Sequence, residues 1–263
     1  MDIRPIGMLD SGIGGITVLK EIKKVLPKED ILYYGDTLNF PYGNKSKDTI
    51  IKLTKLGIDF LIKKGVKAIV IACGTATSQA LEEIKGNYKI PIIGIIKPTI
   101  ELISEKKFKK IGVIATEGTI RSNSWENNIK NIDNNILVYN KACPMLAPMA
   151  EEGWTNNQIA KLAVSEYLKE LKEKNIDSII LGCTHYPLFK ECIQKELGNS
   201  VYLINTGEMT SNKLKEILQK ENMLKEKGKS KVTVYLTNME CNFKKMTNKY
   251  LNEANLNLEI KKV

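Results

Sequence analysis

Strand-length apolar runs alternate with amphipathic stretches of helix length along nearly the whole chain, and this alternation restricts the fold more than any other feature. The runs fall at residues 6–9, 31–34, 68–72, 92–96, 111–115, 137–139, 178–181, 202–204 and 232–236, with a weak one at 256–260. Helical periodicity lies between them, most clearly at 49–63, 157–172 and 211–225. Strands and helices in alternation with short connections predict an α/β fold with mainly parallel sheets covered on both faces. The pattern also reads as a duplication. Gly7-Met8-Leu9-Asp10-Ser11-Gly12 and Gly112-Val113-Ile114-Ala115-Thr116-Glu117-Gly118 are both passages from strand to loop. A repeat of roughly a hundred residues implies two similar α/β lobes. Pro91 and Pro98 bracket the crossover, and the stretch after Ile204 returns to the first lobe. The expected division is 1–96 plus 208–263 for one lobe and 97–207 for the other, with a cleft between them.

Two cysteines repeat with the lobes. Cys73 ends Ile69-Val70-Ile71-Ala72-Cys73 and Cys183 ends Ile179-Ile180-Leu181-Gly182-Cys183, each followed by a short polar turn into a helical pattern. Strand ends that feed helix starts are where open α/β sheets place their chemistry. Two thiols in equivalent frames suggest two halves facing one site, one sulfur for each face of a substrate. A helix start favours thiolate and is expected to lower the pKa of each. His185, two residues past Cys183, is placed to exchange a proton with that thiol. Neither cysteine opens a Cys-x5-Arg phosphatase loop, because Gln79 and Phe189 stand at the arginine position. Cys143, Cys192 and Cys241 lack this context and read as structural.

Two loops add polar groups. Asp10-Ser11-Gly12-Ile13-Gly14-Gly15 lies between a strand and a helix, so its N–H groups could bind an anion. Its glycine spacing is neither the dinucleotide nor the Walker pattern, which favours a small carboxylate over a nucleotide. Asp10 reads either as a helix N-cap or as a partner for a cation or proton-carrying group. Residues 34–43, YGDTLNFPYG, make a second loop at the carboxyl edge of the sheet, where ligands collect, although turn chemistry alone explains its glycines and proline.

Several function classes recede. The five cysteines are odd in number with no CxxC pair, which fits reduced thiols rather than a disulfide frame. Metal ligation is not expected, since His185 is the sole histidine and no ligand spacing surrounds it. The formal charge of +10 raises nucleic-acid binding, yet only Arg4 and Arg121 are arginines and most lysines fall on solvated helix faces. A positive field would instead attract a small dianion. No apolar stretch is of membrane-spanning length and the first residues carry no signal-peptide core, so the expected location is cytoplasmic.

Six stretches together resemble the cofactor-independent aspartate/glutamate racemase family: residues 7–15 (GMLDSGIGG), 34–43 (YGDTLNFPYG), 72–75 (ACGT), 91–98 (PIIGIIKP), 118–122 (GTIRS) and 181–188 (LGCTHYPL). The resemblance runs nearly end to end, and 181–188 is its most specific part. It implies glutamate as the substrate, no cofactor, a role in supplying D-glutamate for peptidoglycan, and a homodimer. It makes Cys73 and Cys183 the paired acid and base, with Asp10 supporting Cys73, His185 supporting Cys183, and Glu152 or its neighbour Glu151 assisting. It places Asp10, Ser11, Tyr42, Gly43, Gly74, Thr75, Thr184 and His185 against the substrate. Two departures stand out: Gly74 where the family usually has asparagine, and Lys97 where it usually has glutamate. The missing amide removes a hydrogen bond worth on the order of 1 kcal/mol. The alternatives are a racemase for aspartate or another amino acid, a regulatory partner of a DNA enzyme, and a thiol hydrolase, which would leave the second cysteine unexplained.

Overall fold

In the computed structural model, which describes residues 2–239, 242–251 and 257–263, the chain forms two parallel sheets. The strands are β1 (Ile6–Asp10), β2 (Ile31–Gly35), β3 (Ala68–Ile71), β4 (Ile92–Gly94), β5 (Lys110–Ala115), β6 (Leu137–Ala142), β7 (Ser178–Leu181), β8 (Tyr202–Ile204), β9 (Lys231–Leu236) and β10 (Asn257–Lys262). One sheet runs β10-β9-β2-β1-β3-β4 and the other β6-β5-β7-β8. The order β2-β1-β3-β4 recurs as β6-β5-β7-β8, so the duplication read in the sequence is a duplication of topology. The pairings align Leu9 with Ile71 in one lobe and Ile114 with Leu181 in the other.

Covering on both faces explains why the strands read as continuous apolar runs. Side chains alternate between two layers of the first sheet: Met8, Ala68 and Val70 on one side, Leu9, Ile69, Ile71 and Cys73 on the other. The second sheet repeats this, with Ile111, Val113 and Ile180 on one side and Ile114, Ile179, Leu181 and Cys183 on the other. Cys73 and Cys183 therefore each continue a buried row one step past the strand end.

Two expected elements differ. The run 92–96 divides, with the strand ending at Gly94 and a helix, Ile96–Lys106, starting two residues on. Pro98 lies in its first turn, where no N–H donor is needed. The periodic stretch 211–225 belongs to a helix shifted upstream, Thr206–Lys220, because the Asn205 side chain accepts the Gly207 N–H at 3.1 Å and caps it there. Asn222, at φ 54, turns the chain out of that helix. These two helices carry the chain between the sheets and pack on one another. Cys241 and the first residue of the candidate 256–260 lie outside the described residues. Among the described residues no helix is long and apolar enough to cross a membrane.

Candidate active site

β1, β3 and β7 all end on the same side of the molecule, and the residues just past their ends converge. Asp10, the last residue of β1, is wholly buried. Its Oδ1 accepts the Gly12 N–H at 3.1 Å and its Oδ2 accepts the Thr184 hydroxyl of the other lobe at 3.3 Å. The helix that follows, Ile16–Val25, starts at Gly15 without a side-chain cap, so Asp10 is not an N-cap. Burial raises its carboxyl above the usual range, against the pull of His185 and the Gly12 and Gly15 N–H groups. Thr17 Oγ1 donates to the Thr184 carbonyl at 2.7 Å and ties the lobes together beside it.

Cys73 caps the helix Gly74–Gln79, with Sγ 3.4 Å from the Ala76 nitrogen that donates to it. The thiol itself points to Ser11 Oγ at 3.4 Å; Asp10 makes no hydrogen bond to it and acts through space. The expectation of a lowered pKa is reversed here. Burial, then the nearby Asp10, pushes the Cys73 thiol up to about 12, outweighing Ser11 and the Ala76 N–H. A helix of six residues cannot offset complete desolvation.

Cys183 has a different setting. It is followed by a short 3-10 turn, Tyr186–Phe189, and its Sγ lies 3.7 Å from His185 Nδ1. His185 Nε2 is 3.1 Å from Glu151 Oε1, and Phe40 packs tilted on the ring at 5.5 Å. Burial of the imidazole pulls its pKa down, but Cys183 and Glu151 together outweigh this and push it up to about 10. Glu151 closes the helix Leu146–Glu151, and its side chain turns inward, whereas Glu152, one residue beyond, is exposed. The carboxylate brought to His185 is Glu151, not Glu152. Lys97 is likewise exposed and away from the site.

Folding thus holds a proton on His185 that an ordinary histidine releases near 6.5. Its contribution to stability is complete below about pH 6.5 and is lost as pH rises through 10. We expect wild type to lose about 4 kcal/mol relative to His185→Gln between those limits, read by urea unfolding. Lys23, pulled down to about 8 mainly by burial, titrates in the same window but affects both proteins alike. A flat difference across the window would mean that the ring is not held protonated.

Ser11, Tyr42, Gly43, Cys73, Gly74, Thr75, Cys183, Thr184 and His185 line one chamber. The free space inside is about 20 Å³, room for about one water molecule. A wider recess of about 550 Å³, bounded by Thr17, Lys20, Asn156 and Lys190, does not include either thiol. The chamber is therefore a closed state that must part to admit a substrate.

Residues not singled out by sequence complete it. Thr116 and Thr119 form a triangle of hydroxyls with Thr75, at 2.8, 3.0 and 3.3 Å, joining the lobes. Thr116 follows β5 as Ser11 follows β1, so the internal repeat carried the signal. Asp36, buried just past β2, accepts the Tyr42 phenol at 2.7 Å with Oδ2. Its Oδ1 accepts from Asn39 at 3.0 Å and from Thr237 at 2.9 Å, which fixes the loop 36–42 against the end of β9. The chamber brings together two sulfurs, one from each lobe, with one imidazole and several hydroxyl donors. This set can remove a proton on one side of a small molecule and return one on the other.

The family model for Asp/Glu/Hydantoin racemase matches residues 15–213. A glutamate racemase of Sulfurihydrogenibium sp. (strain YO3AOP1) is 46% identical over 246 residues, spanning 93% of this chain and 92% of that protein. The structure of a glutamate racemase isoform from Bacillus anthracis superposes with a TM-score of 0.94 at 36% identity, covering 100% of this chain and 98% of that one. That of a glutamate racemase from Francisella tularensis subsp. tularensis SCHU S4, in complex with D-glutamate, does so with 0.93 at 37% identity over the same shares.

Proposed function

The chain belongs to the Asp/Glu/hydantoin racemase family, and we propose that it interconverts L- and D-glutamate by passing the α-proton between Cys73 and Cys183. One observation carries the reading: two cysteines at equivalent strand ends of two lobes line a single closed chamber. The Francisella relative, bound to D-glutamate, supports the choice of substrate.

In this mechanism the α-carbon lies between the sulfurs. A thiolate on one side takes the α-proton, and the C–H electron pair moves into the carboxylate as an enediolate. The thiol on the other side delivers its proton to the opposite face. The amino acid leaves inverted, with one sulfur gaining and the other losing a proton. The α-proton is far less acidic than a thiol, so fixed donors must stabilise the developing charge in a dry site. Ser11 and the hydroxyls of Thr75 and Thr116, which line the chamber, are placed for that task, with Thr119 bonded behind the two threonines. The resting state is asymmetric. Cys73 is held as a thiol by burial, while protonated His185 supplies positive charge beside the Cys183 sulfur. Cys183 is then the base in one direction and Cys73 the acid; the reverse direction exchanges the roles, with Asp10 and Ser11 behind Cys73.

The same reading needs no cofactor and supplies D-glutamate for peptidoglycan in the cytoplasm, the enzyme acting as a homodimer. It divides the chain at 96/97 and 207/208, within the first turns of the two crossover helices. Glu151 enters as the group that orients His185. Glu151→Gln is expected to lower kcat by about a hundredfold, whereas Glu152→Gln stays within about twofold, measured by circular dichroism of the amino acid. Equal losses from the two would remove Glu151 from this role. The function itself is tested by polarimetry on L-glutamate without added cofactor. The rotation should decay to zero, and an unchanged rotation with folded protein overturns the assignment. A parallel run on L-aspartate decides between the two acidic substrates.

A further inference from the structure

The turn that carries Cys183 lacks one donor of its own. Its backbone closes in steps of three: the Tyr186 N–H donates to the Cys183 carbonyl at 3.0 Å, and the Leu188 N–H to the His185 carbonyl at 3.1 Å. The carbonyl between them, on Thr184, would take its bond from residue 187, which is a proline and has no N–H. Thr184 is buried, and a buried carbonyl needs a donor. That donor comes from the other lobe. Thr17 Oγ1, in the first turn of the helix Ile16–Val25, donates to the Thr184 carbonyl at 2.7 Å. The same hydroxyl lies 3.1 Å from the Gly14 carbonyl, which already accepts the Thr17 N–H at 3.0 Å, so its single proton goes to the shorter contact. Gly14 lets the helix start come this close, since a Cβ there would run into the Thr184 hydroxyl and the His185 ring.

We infer that Thr17 is a positioning residue for the Cys183 half of the site, its hydroxyl standing in for the N–H that Pro187 cannot supply. Thr184 stands between Cys183 and His185, so a turn of its peptide moves both side chains. Their contact has little to spare, with Cys183 Sγ and His185 Nδ1 3.7 Å apart. The Thr184 hydroxyl is held as well, by Asp10 Oδ2 at 3.3 Å, again from the first lobe. The first lobe thus fixes the middle of the Cys-Thr-His turn at two polar groups, while Glu151 fixes the far side of the imidazole. Thr17 is buried but does not line the chamber, so a substrate can occupy the chamber without displacing this bond. Alignment matters because a misplacement of about 1 Å in a proton-transfer geometry can cost about a hundredfold in rate.

The test compares wild type with Thr17→Val, which keeps the shape and removes the hydroxyl, and with Thr17→Ser, which keeps the hydroxyl. Thr54→Val is the control, since Thr54 is also buried and its hydroxyl makes no hydrogen bond among the described residues. His185 is the sole histidine, so its imidazole gives a single NMR titration in tag-free, substrate-free protein. Cys183 and Glu151 push that ring up to about 10 against its burial, with the Asp10 carboxyl also acting on it. In Thr17→Val the Cys183 contact slackens, and the ring should lose its proton at least about one pH unit lower. Thr17→Ser and Thr54→Val should titrate as wild type does. Thr17→Val should also lose about thirtyfold in kcat for L-glutamate with KM within about threefold, a split that a general loss of stability does not produce. Thr17→Ser should stay within about threefold of the wild-type kcat. Should the valine variant fail to fold, Thr17→Ala, which also lacks the hydroxyl, carries both measurements. A wild-type titration or a wild-type kcat in the folded variant without the hydroxyl, or equal losses with and without it, overturns the proposal. The kinetic arm rests on the racemase reading and the titration arm does not: a lowered titration in a protein that leaves glutamate unchanged would sink the activity and keep the role of Thr17.

Discussion

Serine in place of either Cys73 or Cys183 is expected to abolish racemisation in both directions, by at least about 10³-fold, while the fold and melting temperature stay close to wild type. In the proposed mechanism each direction uses both sulfurs, one as base and one as acid, so neither direction would survive the loss of one. Oxygen for sulfur is a small change of volume at two buried positions whose neighbours are mainly hydroxyls and N–H groups, which leaves packing little affected. The sharper readout is exchange without inversion. In Cys73→Ser the remaining Cys183–His185 pair still faces one side of the α-carbon and can remove a proton and return a solvent deuteron to the same face. Cys183→Ser should do the same for the other enantiomer only. NMR in deuterated buffer would therefore show α-deuteration of opposite enantiomers in the two variants. Full turnover in either variant, or exchange of both enantiomers by one of them, rules out a two-thiol mechanism.

What was legible in the sequence follows from how local each property is. Strand positions could be read because strands buried on both faces need unbroken apolar runs, and these remain apolar whatever lies beyond them. The two cysteines could be read for a related reason: each lies two residues past a strand that pairs in the same register with its neighbour, so the repeat in sequence is a repeat in space. The run 92–96 misleads because Ile95 and Ile96 are buried in a helix start as thoroughly as they would be in a strand. Glu151 and Glu152 could not be told apart, since both sit at a helix end and only packing against His185 decides which turns inward. The acidity of Cys73 was out of reach for a stronger reason. The helix start is visible in sequence, but the burial and the Asp10 charge that overrule it come from residues far away along the chain. Asp36 is of the same kind, because its importance lies in the Tyr42, Asn39 and Thr237 contacts that only the folded loop brings together.

Methionine at position 67 is expected to lower the unfolding free energy by about 3–5 kcal/mol without reducing kcat more than about twofold at temperatures where the variant is folded. Lys67 precedes β3 at the end of the sheet opposite the thiols, and its side chain is fully buried. Its ammonium makes an ion pair with Glu29 Oε2 at 2.6 Å and donates to the carbonyl oxygens of Asp2 at 2.9 Å and Met223 at 2.6 Å. Glu29 in turn accepts the Lys225 N–H at 2.8 Å with its other oxygen. One buried charge thus gathers the amino-terminal segment, the loop before β2, the start of β3 and the chain leaving the helix Thr206–Lys220. Removing it leaves Glu29 buried and uncompensated and two carbonyls without a donor, which is the costly way to break such a pair. Removing both charges should cost much less, so Lys67→Met/Glu29→Leu is expected to recover most of the loss in a urea-unfolding double-mutant cycle. A single-variant loss below about 1 kcal/mol would show that the pair contributes little to holding these segments together. A double variant no more stable than the single would place the loss in packing rather than in the orphaned charge. Retained turnover would separate this anchor from the chemistry, since β3 links the two: it starts beside Lys67 and ends two residues before Cys73.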